Sequence, residues 1–259
     1  MIFNSYEFLL VFLPIFFLIF YSLIKYNLQK YAVWFIGIAS IIFYSLENIN
    51  FLWILILSIS VNYFIGEVII NKGSRKAFLI AGIIFNLSLL IYFKYTIFFL
   101  NSIISFTEKS IGLPDIILPI GISFYTFTQL AFLIDAYNNK SKHYTFSEYI
   151  SFVTFFPHLI AGPILIHRDF IPQLRNNNFG KPSYNKIYSG LVFFCIGMFK
   201  KVMIADSISP TVGVLFDNAP FLTTLEAWIA SFLYTIQLYY DFSGYSEMAV
   251  GLALMMNIK

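Results

Sequence analysis

The sequence predicts an all-α fold, a polytopic transmembrane helical bundle, and three observations carry that prediction. Of its 259 residues, 59% are hydrophobic and only 11% charged, whereas a soluble domain carries roughly a quarter charged residues. The apolar residues gather into runs approaching the roughly 20 residues a helix needs to cross the hydrocarbon core. Aromatic residues make up 20% of the chain, which suits interfacial belts and a ring-lined interior. At that span length about 7–9 membrane segments are expected, some of them broken or re-entrant. With no internal repeat and no soluble domain boundary, residues 1–259 read as one membrane domain.

The first apolar run, Phe8 to Ile24, follows Glu7 without a preceding Lys or Arg. A secretory signal peptide needs a positive start and a small-residue cleavage site, so this run reads as a retained first span. Positions 31–46, 49–70 and 77–93 read as three more. Lys25 and Lys30 lie in the first loop, Glu47 without a cation in the second, and Lys72, Arg75 and Lys76 in the third. The positive-inside rule makes the first and third loops cytoplasmic and puts the N-terminus outside.

The stretch from Lys94 to Asp115 is less regular, and its apolar piece, Tyr95 to Phe106, is short enough to read as re-entrant or interfacial. A fifth span runs from Leu118 to about Tyr137 and ends before Lys140 and Lys142, in agreement with the orientation above. Pro119 and Gly121 weaken regular helix at its start. The hydroxyls of Ser123, Thr126 and Thr128 can satisfy freed carbonyls, which fits both helix packing and the lining of a substrate path.

Positions 148–166 contain Pro157 and Pro163 and carry cations on both flanks: Lys140 and Lys142 before, then Arg168, Arg175, Lys181 and Lys186 after. A broken or re-entrant element entering from the cytoplasmic side satisfies both facts. Arg175 to Tyr184 is a polar loop. Positions 187–205 form another span, and Asp206 to Pro220 reads as a cation-free loop. Leu222 to Tyr240 returns through the membrane, and Gly244 to Met256 continues apolar. Gly244 and Gly251 are seven apart and share a helix face suited to close packing.

The formal net charge of +3 is too small to suggest a nucleic-acid partner. The single cysteine, Cys195, is expected as a small buried apolar residue. Three scattered histidines without a Cys pair or His-Glu-x-x-His spacing predict no metal site. Gly180-Lys181 lacks the upstream glycine of a phosphate loop, and Pro182 stands where Ser or Thr should follow.

The chemistry concentrates in Tyr234, Gln237, Asp241 and Tyr245, whose spacing of three, four and four places them along one helical stripe. A carboxylate at membrane depth is costly unless it faces a cavity or a partner, so the stripe is expected to look inward. His158 is expected either to line a path or to be satisfied by a nearby carbonyl, while His143 and His167 are expected to be solvated. Lys200 and Lys201 fit two roles, attraction of an anionic donor or snorkelling to lipid head groups.

Five segments in order resemble one family. They are Met1-Ile2-Phe3-Asn4-Ser5-Tyr6-Glu7-Phe8, Leu118-Pro119-Ile120-Gly121-Ile122-Ser123-Phe124-Tyr125-Thr126-Phe127, Phe156-Pro157-His158-Leu159-Ile160-Ala161-Gly162-Pro163-Ile164, Phe199-Lys200-Lys201 and Tyr240-Asp241-Phe242-Ser243-Gly244-Tyr245-Ser246. The chain is similar to membrane-bound O-acyltransferases, in the bacterial branch of alginate O-acetylases and teichoic-acid D-alanyl transfer proteins. The resemblance implies a bacterial inner-membrane, multi-pass enzyme in which a cytoplasmic acyl donor (acyl-CoA or an acyl carrier) meets a hydroxyl of an exported polysaccharide, with no bound cofactor. It also implies an extracytoplasmic acyltransferase as a candidate partner, beside the lipid bilayer itself.

On that resemblance Gln237, Tyr240, Asp241, Ser243 and Tyr245 are candidates for the tunnel or acceptor lining, and His158, Lys200 and Lys201 for the donor side. The family's catalytic histidine follows the Asp-Phe-Ser-Gly-Tyr-Ser element in a segment rich in Trp and Arg. None of His143, His158 and His167 occupies that place, so no catalytic residue is assigned and the chain is expected to be the N-terminal part of such an enzyme. Two other readings fit an intramembrane acid beside broken helices: a transporter or flippase of an envelope precursor, and an inactive scaffold.

Overall fold

The computed structural model describes residues 3–72, 76–107, 116–160 and 162–258. Met1, Ile2, Arg75, residues 108–115, Ala161 and Lys259, which belong to the loops and motifs named above, lie outside them. Among the described residues every regular element is helical. Among the described residues, five helical runs are long and apolar enough to cross a membrane: Phe8–Lys25, Gln29–Glu47, Ile49–Asn71, Lys76–Ser105 and Tyr184–Asp217. Their large side chains remain open to the surroundings, as at Leu18, Ile84, Phe98 and Phe193. A bilayer accepts such a surface because its acyl chains are as apolar as the side chains.

The chain divides into two compact units, one made of Met1–Ala32, Ala161–Pro163 and Gln173–Lys259, the other of Val33–Ile160 and Ile164–Pro172.

The second unit is built on α2 (Gln29–Asn48, from Val33 onward), α3 (Leu52–Lys72), α4 (Lys76–Leu90) and α6 (Ile122–Tyr137). Small residues let these helices approach. A Cβ on Gly66 would lie 2.3 Å from the Phe132 ring, and one on Gly82 would lie 2.5 Å from Leu133 Cδ1. Polar side chains then bind the helices across apolar surroundings. Asn62 and Asn86 exchange amide hydrogen bonds at 3.1 and 2.6 Å, Gln129 Nε2 donates to Ser58 Oγ at 3.0 Å, and Tyr149 OH donates to Gln129 Oε1 at 3.4 Å. Each partner satisfies a group that would otherwise be orphaned where water is scarce.

The apolar piece after Lys94, read as separate, instead continues α4. A π-helical turn, Ile91–Tyr95, joins α4 to α5 (Thr96–Thr107) without a break. Lys94 interrupts nothing because its ammonium lies over the Tyr95 ring, 5.7 Å from the centroid.

The expected break in the proline-rich segment is present. α7 (Phe146–Thr154) starts on a capping box in which Thr145 and Glu148 satisfy each other's backbone N–H groups. It ends at Phe155, whose extended ψ turns the chain into the single turn α8 (Phe156–Leu159), with Pro157 in its first turn. The freed Phe156 N–H donates to Ser40 Oγ at 3.1 Å, and the Ser151 hydroxyl donates to Val33 O at 2.6 Å. Irregular backbone is buried here because α2 supplies the missing partners. Gly121, at φ +73°, leads into α6 where a Cβ would lie 2.5 Å from Leu159 O.

The first unit opens with a π turn, Phe8–Phe12, running into α1 (Leu13–Lys25). Phe8, Phe12, Phe16 and Phe20 recur every fourth residue and stack in a column. Phe20 also meets Phe179 edge to face, which ties α1 to the polar loop before α10 (Tyr184–Phe199).

α10 runs through the π turn Lys200–Ala205 into α11 (Asp206–Asp217), so the segment expected as a loop after Asp206 is helical. Asp206 is accommodated within this continuous run because its carboxylate pairs with Lys201, five residues earlier, at 2.7 Å. The following spans likewise form one helix, α12 (Thr224–Met255), begun by a Thr223–Glu226 capping box. Cys195 is exposed on α10, not buried as expected, because the opposite face of that helix is the one that packs.

Candidate functional site

α10 and α12 pack antiparallel through two glycine pairs. A Cβ on Gly244 would sit 2.7 Å from Gly197 O, and one on Gly251 would sit 2.5 Å from Gly190 O. The seven-residue spacing seen in α12 is thus matched by an equal spacing in α10. Backbone meets backbone at these two crossing points, and the side chains of Met248, Met255 and Phe194 pack beside them. Lys200 and Lys201, just beyond Gly197, are therefore delivered directly onto the polar stretch of α12.

The two lysines diverge there. Lys200 Nζ donates to Glu247 Oε1 and lies 3.3 Å from Ser243 Oγ. Lys201 Nζ lies 2.6 Å from Asp241 Oδ1 and 2.7 Å from Asp206 Oδ1. Asn4 Nδ2 reaches the other oxygen of Asp206 at 3.4 Å, which brings the opening motif to the same place. Both lysines thus have carboxylate partners close at hand. Asp241, with its side chain 48% exposed, is anchored while still open on one side.

Around these pairs stand acceptors and hydroxyls with unspent capacity. Gln237 Oε1, Tyr245 OH, Ser246 Oγ and Glu247 Oε2 are buried and make no hydrogen bond among the described residues. The Tyr245 ring is stacked on Phe3 at 4.4 Å and is only 7% exposed. Tyr240 is half-buried and meets Tyr239 edge to face, while Tyr234, at the end of the stripe, is exposed and packs on Phe216. Three carboxylates (Asp206, Asp241, Glu247) against two ammonium groups leave one formal negative charge in excess. The cluster is suited to a ligand that donates hydrogen bonds.

The histidines belong to the second unit. His158 is buried, with Nδ1 2.9 Å from Phe155 O, the simpler of its two expected environments. His143 lies half-open beside Glu67 at 3.3 Å.

His167 overturns the expectation of a solvated residue, being 1% exposed. α9 (His167–Leu174) is amphipathic and begins by inserting this ring edge-on between Phe132 and Phe152. Its Nδ1 lies 3.0 Å from Tyr144 OH and its Nε2 3.1 Å from Asp135 Oδ2, which also receives Arg168 Nε at 3.0 Å. Burial pushes the His167 pKa below its usual value, against the opposing pull of Asp135. With both ring nitrogens engaged and no open side, His167 is a structural joint.

Sequence reasoning missed Glu247, Asp206 and Asn4 as members of the cluster, although two adjacent lysines inside an apolar run are themselves a signal that carboxylates must lie near. No group of three or more His, Cys, Asp or Glu with the geometry of a metal site occurs among the described residues.

At least five membrane-length helices and a partly exposed ion-pair cluster between two of the packed helices define a multi-pass integral membrane protein. The chain belongs to the MBOAT, or membrane-bound O-acyltransferase, family, whose model it matches over residues 1–258. It is 37% identical to a peptidoglycan O-acetyltransferase of Helicobacter pylori, with all of this chain aligned to 55% of that protein. It is 39% identical to the probable alginate O-acetylase AlgI of Pseudomonas aeruginosa, across all of this chain and 50% of that one. A teichoic acid D-alanyltransferase of Bacillus subtilis is 29% identical across 54% of this chain and 36% of its own. The chain spans about half the length of the first two relatives.

Proposed function

We propose that these residues form the acceptor-binding part of a bacterial inner-membrane O-acyltransferase that moves an acyl group, acetyl by analogy with the relatives, to a hydroxyl of an exported envelope polysaccharide. The observation that carries this reading is the set of unspent acceptor atoms around the Lys201–Asp241 pair, inside a chain that matches the family from end to end. A sugar presents several hydroxyl donors, and a wall of carboxylate, amide and phenol oxygens is their complement.

In the reaction an acceptor hydroxyl oxygen attacks the thioester carbonyl of acyl-CoA or an acyl carrier. A C–O bond forms, the C–S bond breaks, and the hydroxyl proton passes to a base while the thiolate leaves. As a carboxylate, Asp241 is a poor base for an alcohol, being intrinsically far less basic than the alkoxide it would have to generate. It is assigned to orient the acceptor with Gln237, Tyr240, Ser243 and Tyr245, with Lys200 and Lys201 as counter-charges. The proton-accepting imidazole is assigned to the family histidine that follows the Asp-Phe-Ser-Gly-Tyr-Ser element. The broken segment bearing His158 is the donor-side candidate. This assignment goes with an N-terminus outside, about 7–9 membrane segments at the usual span length, and an extracytoplasmic acyltransferase as partner.

The test is ester content of the envelope polysaccharide in cells carrying the complete gene, as wild type or Asp241→Asn. A loss of esters at equal protein level is expected, and unchanged acylation removes Asp241 from the mechanism.

A further inference from the structure

The first unit carries a second polar concavity that the acyl-transfer reading does not use. It lies between the loop before α10 and the end of α12 and encloses about 540 Å³, within the range of small-molecule sites. Its wall includes Lys181, Lys186, Asn176, Asn178, Ser183 and Asn257. Among the lining residues there is no carboxylate side chain.

The two ammonium groups meet no carboxylate among the described residues. Lys186 Nζ donates to the amide oxygen of Asn257, and Lys181 Nζ lies 3.5 Å from the amide oxygen of Asn178, both neutral acceptors. Asn257 is fixed by its own Nδ2 donating to Asn178 O at 2.7 Å. The carbonyls that end α12 are taken, by the N–H groups of Met256, Asn257 and Ile258 and by the Tyr21 hydroxyl. The negative end of that helix is therefore largely spent internally and does little to neutralise the lysines.

A further positive contribution comes from α10. Its N-cap residue, Ser183, lines the cavity but makes no side-chain capping bond, in contrast to Thr145 and Thr223 at the starts of α7 and α12. First-turn amides and the dipole of a 16-residue helix thus add to two lysines on one wall. The loop is held in shape by Phe179 on Phe20 and by Gln29 Nε2 donating to Asn177 O at 3.4 Å.

We propose that this concavity binds the phosphate group of a small polar ligand, Lys181 and Lys186 pairing with its oxygens and the asparagine amides meeting the hydroxyl-bearing remainder. Two sources share that chemistry, an anionic phospholipid head group and a soluble phosphate ester.

The experiment uses the complete protein in phosphatidylcholine nanodiscs, titrated calorimetrically with inorganic pyrophosphate at fixed ionic strength. Changing Lys181→Gln with Lys186→Gln is expected to weaken binding by about tenfold or more, since two charge-assisted contacts are lost. The same charge removed as Lys140→Gln with Lys142→Gln should leave it unchanged. A second arm uses nanodiscs containing phosphatidylglycerol, read by native mass spectrometry. For a lipid site, phosphatidylglycerol stays on the wild type, leaves the double variant, and suppresses the pyrophosphate heat. For a soluble ligand, pyrophosphate binds alike in both kinds of disc and lipid retention does not differ between the proteins. If the double variant fails to fold, Lys181→Gln alone, at an exposed position, must still weaken pyrophosphate or lipid binding severalfold. Wild type and variant alike in both arms, or no binding in either, overturns the proposal.

Discussion

Gly197 and Gly244 face each other across the α10–α12 seam with no room for a methyl group: a Cβ on Gly197 would lie 2.5 Å from Gly244 O. That contact sets how far Lys200 and Lys201 must reach, because both follow Gly197 within about one turn. Gly244→Ala is expected to destabilise the protein by about 1–3 kcal/mol through overpacking. It should also lower acyl transfer by separating Lys201 from Asp241. Gly213, where a methyl group would meet nothing within 4 Å, is the control, and Gly213→Ala should be neutral or slightly stabilising by helix propensity. Melting temperatures in detergent and polysaccharide ester content check both.

Lys201 serves two carboxylates at once. Lys201→Met should leave Asp206 and Asp241 without their shared counter-charge. Partial exposure of both acids tempers the cost to about 1–3 kcal/mol, below that of a fully buried broken pair. Adding Asp241→Asn to Lys201→Met is expected to recover part of the stability and none of the activity. A double-mutant cycle on melting temperature, run beside the ester assay, separates the two effects.

Asn62 and Asn86 satisfy each other inside the second unit. Asn62→Leu alone leaves Asn86 Oδ1 without its donor, while Asn86 Nδ2 keeps Gly82 O at 2.8 Å; it should cost about 1–2 kcal/mol, whereas the double leucine variant should cost less than the sum of the single changes. Strict additivity in unfolding measurements would refute the pairing.

Burial of His167 makes stability depend on pH. Its folded pKa lies below the ordinary histidine value of 6.5, so the unfolded chain takes up a proton first as the medium is acidified. The contribution is complete above about 6.5 and is lost as pH falls through the interval down to the folded value. His167→Asn should flatten the slope of melting temperature against pH in that interval. An unchanged slope would remove His167 as its source.

Much of the fold could be read from local chemistry. Hydropathy located Phe8–Lys25, Gln29–Glu47 and Ile49–Asn71 closely and the starts of Lys76–Ser105 and Tyr184–Asp217, since about twenty apolar residues have few alternatives in a bilayer. Proline spacing located the break at Phe155, and the glycine interval in α12 located its packing face. Lys94 and Asp206 misled because a charge usually marks a span's end. Here a neighbouring ring holds one, and an ion pair with Lys201 holds the other.

By itself, then, the sequence determined that this is a helical membrane protein with a polar stripe on α12, because periodicity and transfer free energy act within a segment. Only the tertiary structure decided the partners. It turned Lys200 and Lys201 onto Glu247, Ser243, Asp241 and Asp206, buried His167 against Asp135 and Tyr144, and gathered Lys181, Lys186 and Asn257 around one cavity. Such pairings depend on which helices approach closely and in what register, and that is settled by contacts between residues far apart in the chain.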